Sequence, residues 1–158
     1  MNNYKDEFVT VFTKAVTRDG AGDLLDWLDS TDFFTAPASA KHHLNEPEGL
    51  VRHSLNVYYR LKKFLKDEYG DRCPYSDDTI ATVSLLHDAC KVEHFKTGWK
   101  NQKTYDPDKV NMALPKEVKS DAAGRFIWET VPFYEIDDQF VYGHGEKSVF
   151  IVERFMRL

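Results

Sequence analysis

Residues 49–65 read GLVRHSLNVYYRLKKFL and have the clearest helical pattern in the chain. Apolar residues recur there at helical spacing, at Leu50, Val57, Leu61, Phe64 and Leu65, and lysines occupy the opposite side. His53 lies on the same side as Leu50 and Val57. The pattern therefore predicts an amphipathic helix that carries an imidazole on its buried face.

A second helix is predicted to follow Ser76, which is a suitable N-cap residue. Its expected buried positions are Ile80, Val83 and Leu86. This helix runs into LLHDACK at residues 85–91. Because Val83, His87 and Lys91 are spaced four residues apart, we expect them to share the buried face.

Elsewhere the pattern is also mainly helical. Apolar spacing predicts N-terminal helices within residues 1–34, and helical period returns at the end of the chain. The segment 94–140 is different: it is rich in prolines and aromatic residues, and we interpret it as an insertion that acts as a lid. Within it, 126–131 reads as one arm of a β-hairpin with its turn at 121–124. The prediction is a single domain over 1–158, mainly α with a β-hairpin-containing insertion.

Composition excludes several classes of protein. The chain has 158 residues, 42% hydrophobic and 30% charged, which is typical of a folded globular domain and not of a disordered one. The net charge of −5 argues against a dedicated nucleic-acid coat, and no apolar run is long enough to span a bilayer. Two cysteines cannot form a disulfide framework, so a cytoplasmic location is expected.

The chemistry is concentrated in the histidines and their neighbours. Burying an imidazole or a carboxylate is costly unless the group is hydrogen-bonded, paired or bound to a metal. Taken alone, His53 would more often be a hydrogen-bonded core residue, and the pair His87-Asp88 would more often be a chance dipeptide. Together with His144, which opens the last predicted helix, they favour a metal site. Imidazoles with a carboxylate suit Mn, Fe, Co, Ni or Zn better than Ca.

Two of these segments, GLVRHS at 49–54 and LLHDACK at 85–91, resemble the HD superfamily of metal-dependent phosphohydrolases. The 34-residue separation of His53 and His87 fits the layout of that family. Upstream, Ala36-Pro37-Ala38 and His42-His43 are similar to the HD domain of bacterial 3′–5′ exoribonucleases. The resemblance extends over roughly residues 35–158 and implies a helical HD-domain bundle.

The resemblance also implies a ligand set. His53, His87 and Asp88 match the ligands of a first metal ion, and His144 in HGEKS matches a ligand of a second. Asp88 would bridge the two ions. The ions implied are divalent: Mn, Fe, Co, Ni, Zn or Mg.

Catalytic roles follow from the same resemblance. Asp88, Lys91 and His43 match the catalytic positions: Lys91 as a partner of a substrate phosphate oxygen, and His43 as a phosphate contact or a proton donor to the leaving group. The sequence departs from the family in one respect, because no aspartate follows Asp138, where the family has its last ligand. We therefore expect either a chain truncated at its C-terminus or a lost ligand.

The predicted lid has a local excess of positive charge. Residues 91–119 hold seven lysines against four acidic residues. Such a segment would attract an anionic substrate, and we predict Lys91, Lys96, Lys100 and Trp99 as substrate-binding residues. The alternative is a solvated loop whose aromatic residues pack on the helices.

Three functions remain open at this stage. The first is a phosphohydrolase that uses metal-activated water to cleave a nucleotide or another small phosphate ester. The second is a catalytically impaired module that binds a metal or a nucleotide and regulates. The third is an exoribonuclease-like nuclease, which the net charge makes less favoured because nucleic-acid binders are usually basic. No membrane partner is expected.

Overall fold

A computed structural model of the chain describes residues 3–138 and 142–158. It divides into two compact units: Met1–Lys96 with Ile136–Leu158, and Thr97–Glu135. Residues 139 and 140, at the end of the predicted insertion, lie outside the described residues. The mainly α prediction is confirmed: six α-helices and a three-stranded sheet make up the described regular structure.

The described helices and strands follow one another along the chain, and neither the first strand nor the short helix after it was expected from the apolar spacing. In chain order they are α1 (Tyr4–Ala15), α2 (Ala21–Asp29), α3 (Gly49–Tyr69), α4 (Asp77–Leu86), β1 (Phe95–Thr104), α5 (Pro107–Met112), β2 (Lys119–Asp121), β3 (Gly124–Ile136) and α6 (His144–Val152). Single turns of 3₁₀-helix cover Gly70–Arg72 and Ala89–Lys91.

The core of the first unit is built from the apolar faces of its helices. Phe8 and Phe12 of α1 stack on each other, and Phe8 packs edge-on against Phe33 and Phe34. Leu50 and its neighbours on α3 complete this cluster. Most of the expected apolar positions thus form one continuous core, and α3 and α4 are held against it. The prediction for Phe64 is wrong: it is 60% exposed, because the helix turns by about 100° between it and the buried Leu65.

Helix α4 begins where its cap predicts, since the Ser76 hydroxyl accepts a hydrogen bond from the Thr79 amide at 3.1 Å. Ile80 and Leu86 are buried as expected. The prediction for Val83 is wrong, because its side chain is 58% exposed. Position 84 points inward instead, where the Ser84 hydroxyl donates to the Ile80 carbonyl and is satisfied within the helix.

The prediction that His87, Asp88 and Lys91 continue the same helix is also wrong. The helix ends at Leu86, His87 is its C-cap, and Asp88 leaves the helical conformation with φ −107° and ψ 20°. Lys91 belongs to the following 3₁₀ turn. The ladder stops here because tertiary hydrogen bonds capture the backbone beyond Leu86, so side chains of residues 87–91 no longer follow the 100° helical step.

The second unit contains a sheet with strand order β1-β3-β2. The predicted hairpin is confirmed: β2 and β3 pair antiparallel, with Asp121 opposite Gly124 across the turn. Strand β1 was not predicted, because FKTGWKNQKT is mostly polar and does not alternate. The buried side chains of this unit are Val110, Phe126 and Tyr134. Among the residues that the structure describes, no helix combines the length and apolarity that crossing a bilayer requires.

Candidate metal centre

Three polar side-chain atoms from two parts of the chain meet at one point. His53 Nε2 of α3 lies 3.2 Å from His87 Nε2, and each of these nitrogens lies 3.3 Å from Asp88 Oδ2. The two histidines are partly exposed and the aspartate is buried, with 12% of its side chain accessible. The three atoms form a nearly equilateral triangle.

The size of this triangle suits a metal ion. Ligand atoms about 2.1 Å from an ion lie about 3.0 Å apart at a right angle and about 3.4 Å apart at the tetrahedral angle. The observed edges of 3.2 and 3.3 Å fall between these two values. The group His53, His87 and Asp88 could therefore hold a metal ion without a large movement of the side chains.

The orientation of His87 fits the same role. Its Nδ1 lies 2.8 Å from the Ser84 carbonyl oxygen, which can only accept, so Nδ1 carries the proton of this bond. In the neutral ring, Nε2 then presents a lone pair toward His53 and Asp88. A backbone carbonyl that fixes the far nitrogen is the usual support of a metal-binding histidine.

Lys91 balances the carboxylate of the group. Its ammonium donates to Asp88 Oδ2 at 2.8 Å and to the Ala38 carbonyl at 2.7 Å. Burial works against ionisation of Asp88, but hydrogen bonds with His53, His87 and Lys91 outweigh it and hold the pKa of Asp88 well below its usual range. The aspartate is thus ionised at neutral pH, as a metal ligand must be.

The titration of His87 is shaped by the same neighbours. Burial lowers the pKa of His87, whereas hydrogen bonds with Asp88 and the Ser84 carbonyl, together with the charge of Asp88, raise it. The net shift is upward from the ordinary histidine value. A proton on His87 reduces the electrostatic repulsion between the lone pairs that converge here.

His43 lies at the edge of the group. Its ring centroid is 5.3 Å from that of His53, and its side chain is exposed in the loop before α3. This loop packs tightly: a Cβ on Gly49 would lie 2.1 Å from the Leu44 carbonyl oxygen. Only glycine allows so close an approach of loop and helix, and the approach keeps His43 beside His53.

The structure places His144 outside the three-atom group. It is the first residue of α6, is exposed, and lies with Nδ1 3.3 Å from Cys90 Sγ. Its ring is 5.8 Å from that of His94, which is buried to 4% exposure and was not singled out from the sequence. Burial lowers the pKa of His94, although the nearby Asp138 carboxylate opposes this shift. His94 thus adds a second imidazole beside His144.

Ser148 is another residue that the sequence did not reveal. Its hydroxyl donates to the His87 carbonyl at 2.7 Å and accepts from the Cys90 amide at 3.1 Å. It therefore connects α6 to the turn that carries Asp88. No sequence signal distinguishes this serine, because its partners are backbone atoms that lie far from it in the chain.

The predicted substrate-binding residues are found in different surroundings. Lys91 belongs to the group just described, whereas Lys96 pairs with Asp137 at 2.6 Å. Lys100 and Trp99 are part of the second unit, where Trp99 is 67% exposed. The structure thus brings Lys91 to His53, His87 and Asp88, whereas Lys96 is paired with Asp137 instead.

A cleft of about 210 Å³ opens beside His87 between α4 and α6. Val83, Val149 and Val152 line it, and its walls are almost entirely apolar. The outward orientation of Val83 is thereby explained, since this residue forms one wall of the cleft.

Comparison of the chain with models of protein families, with curated proteins and with solved structures found no match. The candidate centre therefore rests on its own geometry.

Proposed function

We propose that the protein is a metal-dependent phosphohydrolase of the HD type, acting on a nucleotide or another small phosphate ester. The observation that carries the proposal is the triangle of His53 Nε2, His87 Nε2 and Asp88 Oδ2, with edges of 3.2 and 3.3 Å. The resemblance of the segments at 49–54 and 85–91 to the HD superfamily supports the same reading.

His53, His87 and Asp88 would hold the ion, and two imidazoles with one carboxylate favour Mn, Fe, Co, Ni or Zn. A bound divalent ion would supply a Lewis acid for the phosphoryl oxygens and would lower the pKa of a water molecule toward neutrality. The chain supplies the arrangement around it. Ser84 fixes the ring of His87, and Lys91 keeps the carboxylate of Asp88 in place.

Lys91 has a second task in the proposal. An ammonium has three N–H groups, and two of them are directed to Asp88 and Ala38. The third is taken by no other residue that the structure describes, and it is available to a phosphate oxygen of the substrate. His43, exposed beside His53, is positioned to contact the phosphate or to protonate the leaving oxygen.

The proposal includes a second ion. His144 would be its ligand, and Asp88 would bridge the two ions. His144 now contacts Cys90, so its side chain would have to turn toward Asp88. This observation favours the alternative of a metal-binding module that does not turn over substrate, and the experiment below separates the two.

The experiment combines metal analysis with turnover. Wild-type protein, Asp88→Asn and the exposed control Asp26→Asn are purified and loaded with Mn²⁺. Bound metal is measured, as is hydrolysis of an aryl phosphomonoester, an aryl phosphodiester and nucleoside monophosphates. We expect wild type and the control to bind metal and to hydrolyse at least one ester. In Asp88→Asn, the affinity for Mn²⁺ should fall by more than the ~10–100-fold that results from changing a residue beside a ligand.

Other outcomes have definite meanings. Metal binding without turnover of any ester identifies the regulatory module. Cleavage confined to single-stranded RNA, with binding that weakens as salt rises, identifies the nuclease. Absence of bound metal in the wild-type protein overturns the proposal.

A further inference from the structure

Ser148 is buried at the junction of α6 with the end of α4. Its side chain is 4% exposed, and both of its hydrogen bonds are to backbone groups of one short segment. The hydroxyl donates to the His87 carbonyl at 2.7 Å and accepts from the Cys90 amide at 3.1 Å. Asp88 lies between these two anchored positions.

The two backbone groups have no partner in the regular ladder of α4. The turn beyond the helix satisfies other groups by itself, since the Lys91 amide donates to the Asp88 carbonyl and the Val92 amide to the Ala89 carbonyl. The His87 carbonyl and the Cys90 amide are left for Ser148. A buried backbone group without a partner costs free energy, so this hydroxyl decides how the turn is closed.

The bridge also sets the width of the turn. His87 and Cys90 are three residues apart, the spacing at which a carbonyl and an amide usually bond directly in a tight turn. Here the hydroxyl is inserted between them. Without it, the turn would either close directly or leave both groups unsatisfied. In both cases the backbone at Asp88 would rotate between its anchors.

We propose that Ser148 is a positioning residue for the metal centre. By holding the His87 carbonyl and the Cys90 amide apart, it directs the Asp88 carboxylate to its place 3.3 Å from both imidazoles. This inference rests on the proposed metal binding. It adds that α6 contributes to the centre through the backbone of the ligand turn, whether or not His144 binds an ion.

A purely structural serine would differ in one measurable way. It would stabilise the folded chain, but the affinity of the folded protein for an ion would not depend on it. Val152 provides the matched control, because it lies on the same helix one turn later, is 2% exposed and packs in the core. Val152→Ala removes buried contacts but keeps the Ser148 hydroxyl and its two bonds to the ligand turn.

The test measures the Kd of Mn²⁺ by calorimetry and the thermal midpoint of the metal-free protein. Wild type is compared with Ser148→Ala, Ser148→Thr and Val152→Ala. We expect Ser148→Ala to raise the Kd about 10–100-fold, as loss of a residue that orients a ligand does. Ser148→Thr keeps the hydroxyl and should restore the affinity. Val152→Ala should lower the midpoint while leaving the Kd unchanged.

A Ser148→Ala protein that binds Mn²⁺ with the wild-type Kd overturns the inference and leaves the proposed function intact. If wild type itself binds no Mn²⁺, the proposed function and this inference fall together. Should Ser148→Ala not fold, Ser148→Cys takes its place, because a thiol is a weaker donor and acceptor of similar size. An unchanged Kd in that variant likewise refutes the role.

Discussion

Replacing Lys91 by methionine removes the positive charge of the ammonium and keeps a side chain of similar length. The ammonium makes two hydrogen bonds, to the Asp88 carboxylate and to the Ala38 carbonyl. The side chains of Lys91 and Asp88 are only 19% and 12% exposed, so water does not readily replace the lost donor. We therefore expect Lys91→Met to destabilise the metal-free protein.

The magnitude follows from these two bonds. A hydrogen bond that involves a charged group contributes about 1.5–3 kcal/mol, and removing one partner leaves the other unsatisfied. Part of this loss is recovered, because the lysine no longer has to be desolvated. We expect a net loss of about 2–4 kcal/mol in the free energy of unfolding. For a chain of this size that is a fall of about 5–15 °C in the thermal midpoint.

The loss should depend on pH in a definite direction. Lys91 is one of the groups that lower the pKa of Asp88 in the folded protein. A lowered folded pKa stabilises the protein above the unfolded value, and this stabilisation is lost as the pH falls. The unfolded value is the same in wild type and Lys91→Met, so their difference should stay constant from neutral pH downward and should shrink only as the pH falls through the lowered folded pKa of Asp88 in the variant.

The assay is thermal unfolding of chelator-treated protein at pH 7 and at pH 3.5, followed by circular dichroism. Lys63→Met is the matched control, because Lys63 is 81% exposed and its ion pair with Asp67 is at the surface. We expect this control to change the free energy by less than about 1 kcal/mol. A Lys91→Met protein as stable as the control at neutral pH would refute the reasoning, as would a difference that is larger at pH 3.5 than at pH 7.

Three further predictions concern other parts of the chain. Burial opposes ionisation of Asp78, but hydrogen bonds from a backbone amide and from Arg18 hold its pKa below the usual range. Asp78→Asn should therefore lower the free energy of unfolding in urea by about 1–3 kcal/mol at pH 7, and by less below about pH 4. The raised pKa of His87 means that protons compete with the ion, so the calorimetric Kd of Mn²⁺ should increase from pH 8 to pH 6, and a constant Kd would contradict this. If the basic segment attracts an anionic substrate, Lys96→Glu and Lys100→Glu should each raise the KM several-fold with little change in kcat, whereas an unchanged KM would rule out that role.

Most of the helices and one of their functional residues could be predicted from periodicity. The apolar spacing of residues 49–65 correctly gave α3 and the side of the helix from which His53 reaches Asp88. It did not fix every covered position, since Phe64 is 60% exposed. Val83 could not be predicted, because whether an apolar position is covered depends on what packs over it, and here it lines an open cleft. Strand β1 was missed for a similar reason: its pairing with β3, and not its own composition, makes it a strand.

The position of His87 and Asp88 beyond the helix could not be predicted from the sequence for another reason. Periodicity describes residues inside a helix, and the pair lies where α4 has ended. The conformation there is set by Ser148, which is 61 residues away from His87 in the chain. A local pattern thus identified the residue types but not the turn that directs them, because the bonds that shape the turn are long-range and involve backbone atoms.

The centre also explains why a proton and a metal ion should exclude each other. Three atoms that each carry lone pairs lie within 3.3 Å of one another, and such an arrangement needs positive charge between or beside its members. Lys91 supplies one positive charge from the side of Asp88. The space between the imidazoles is left for a proton at low pH or for a divalent ion at higher pH, and hydrogen bonds with Asp88 and the Ser84 carbonyl raise the pKa of His87 accordingly. The affinity of the centre for a metal and its affinity for a proton should therefore change together.

A variant that spreads the triangle, such as Ser148→Ala, should lower the pKa of His87 in the metal-free protein as well as weaken Mn²⁺ binding. NMR titration of the His87 ring protons measures the first effect, and a pKa that stays at the wild-type value while Mn²⁺ binding is lost would show that the two cations are not held by the same geometry.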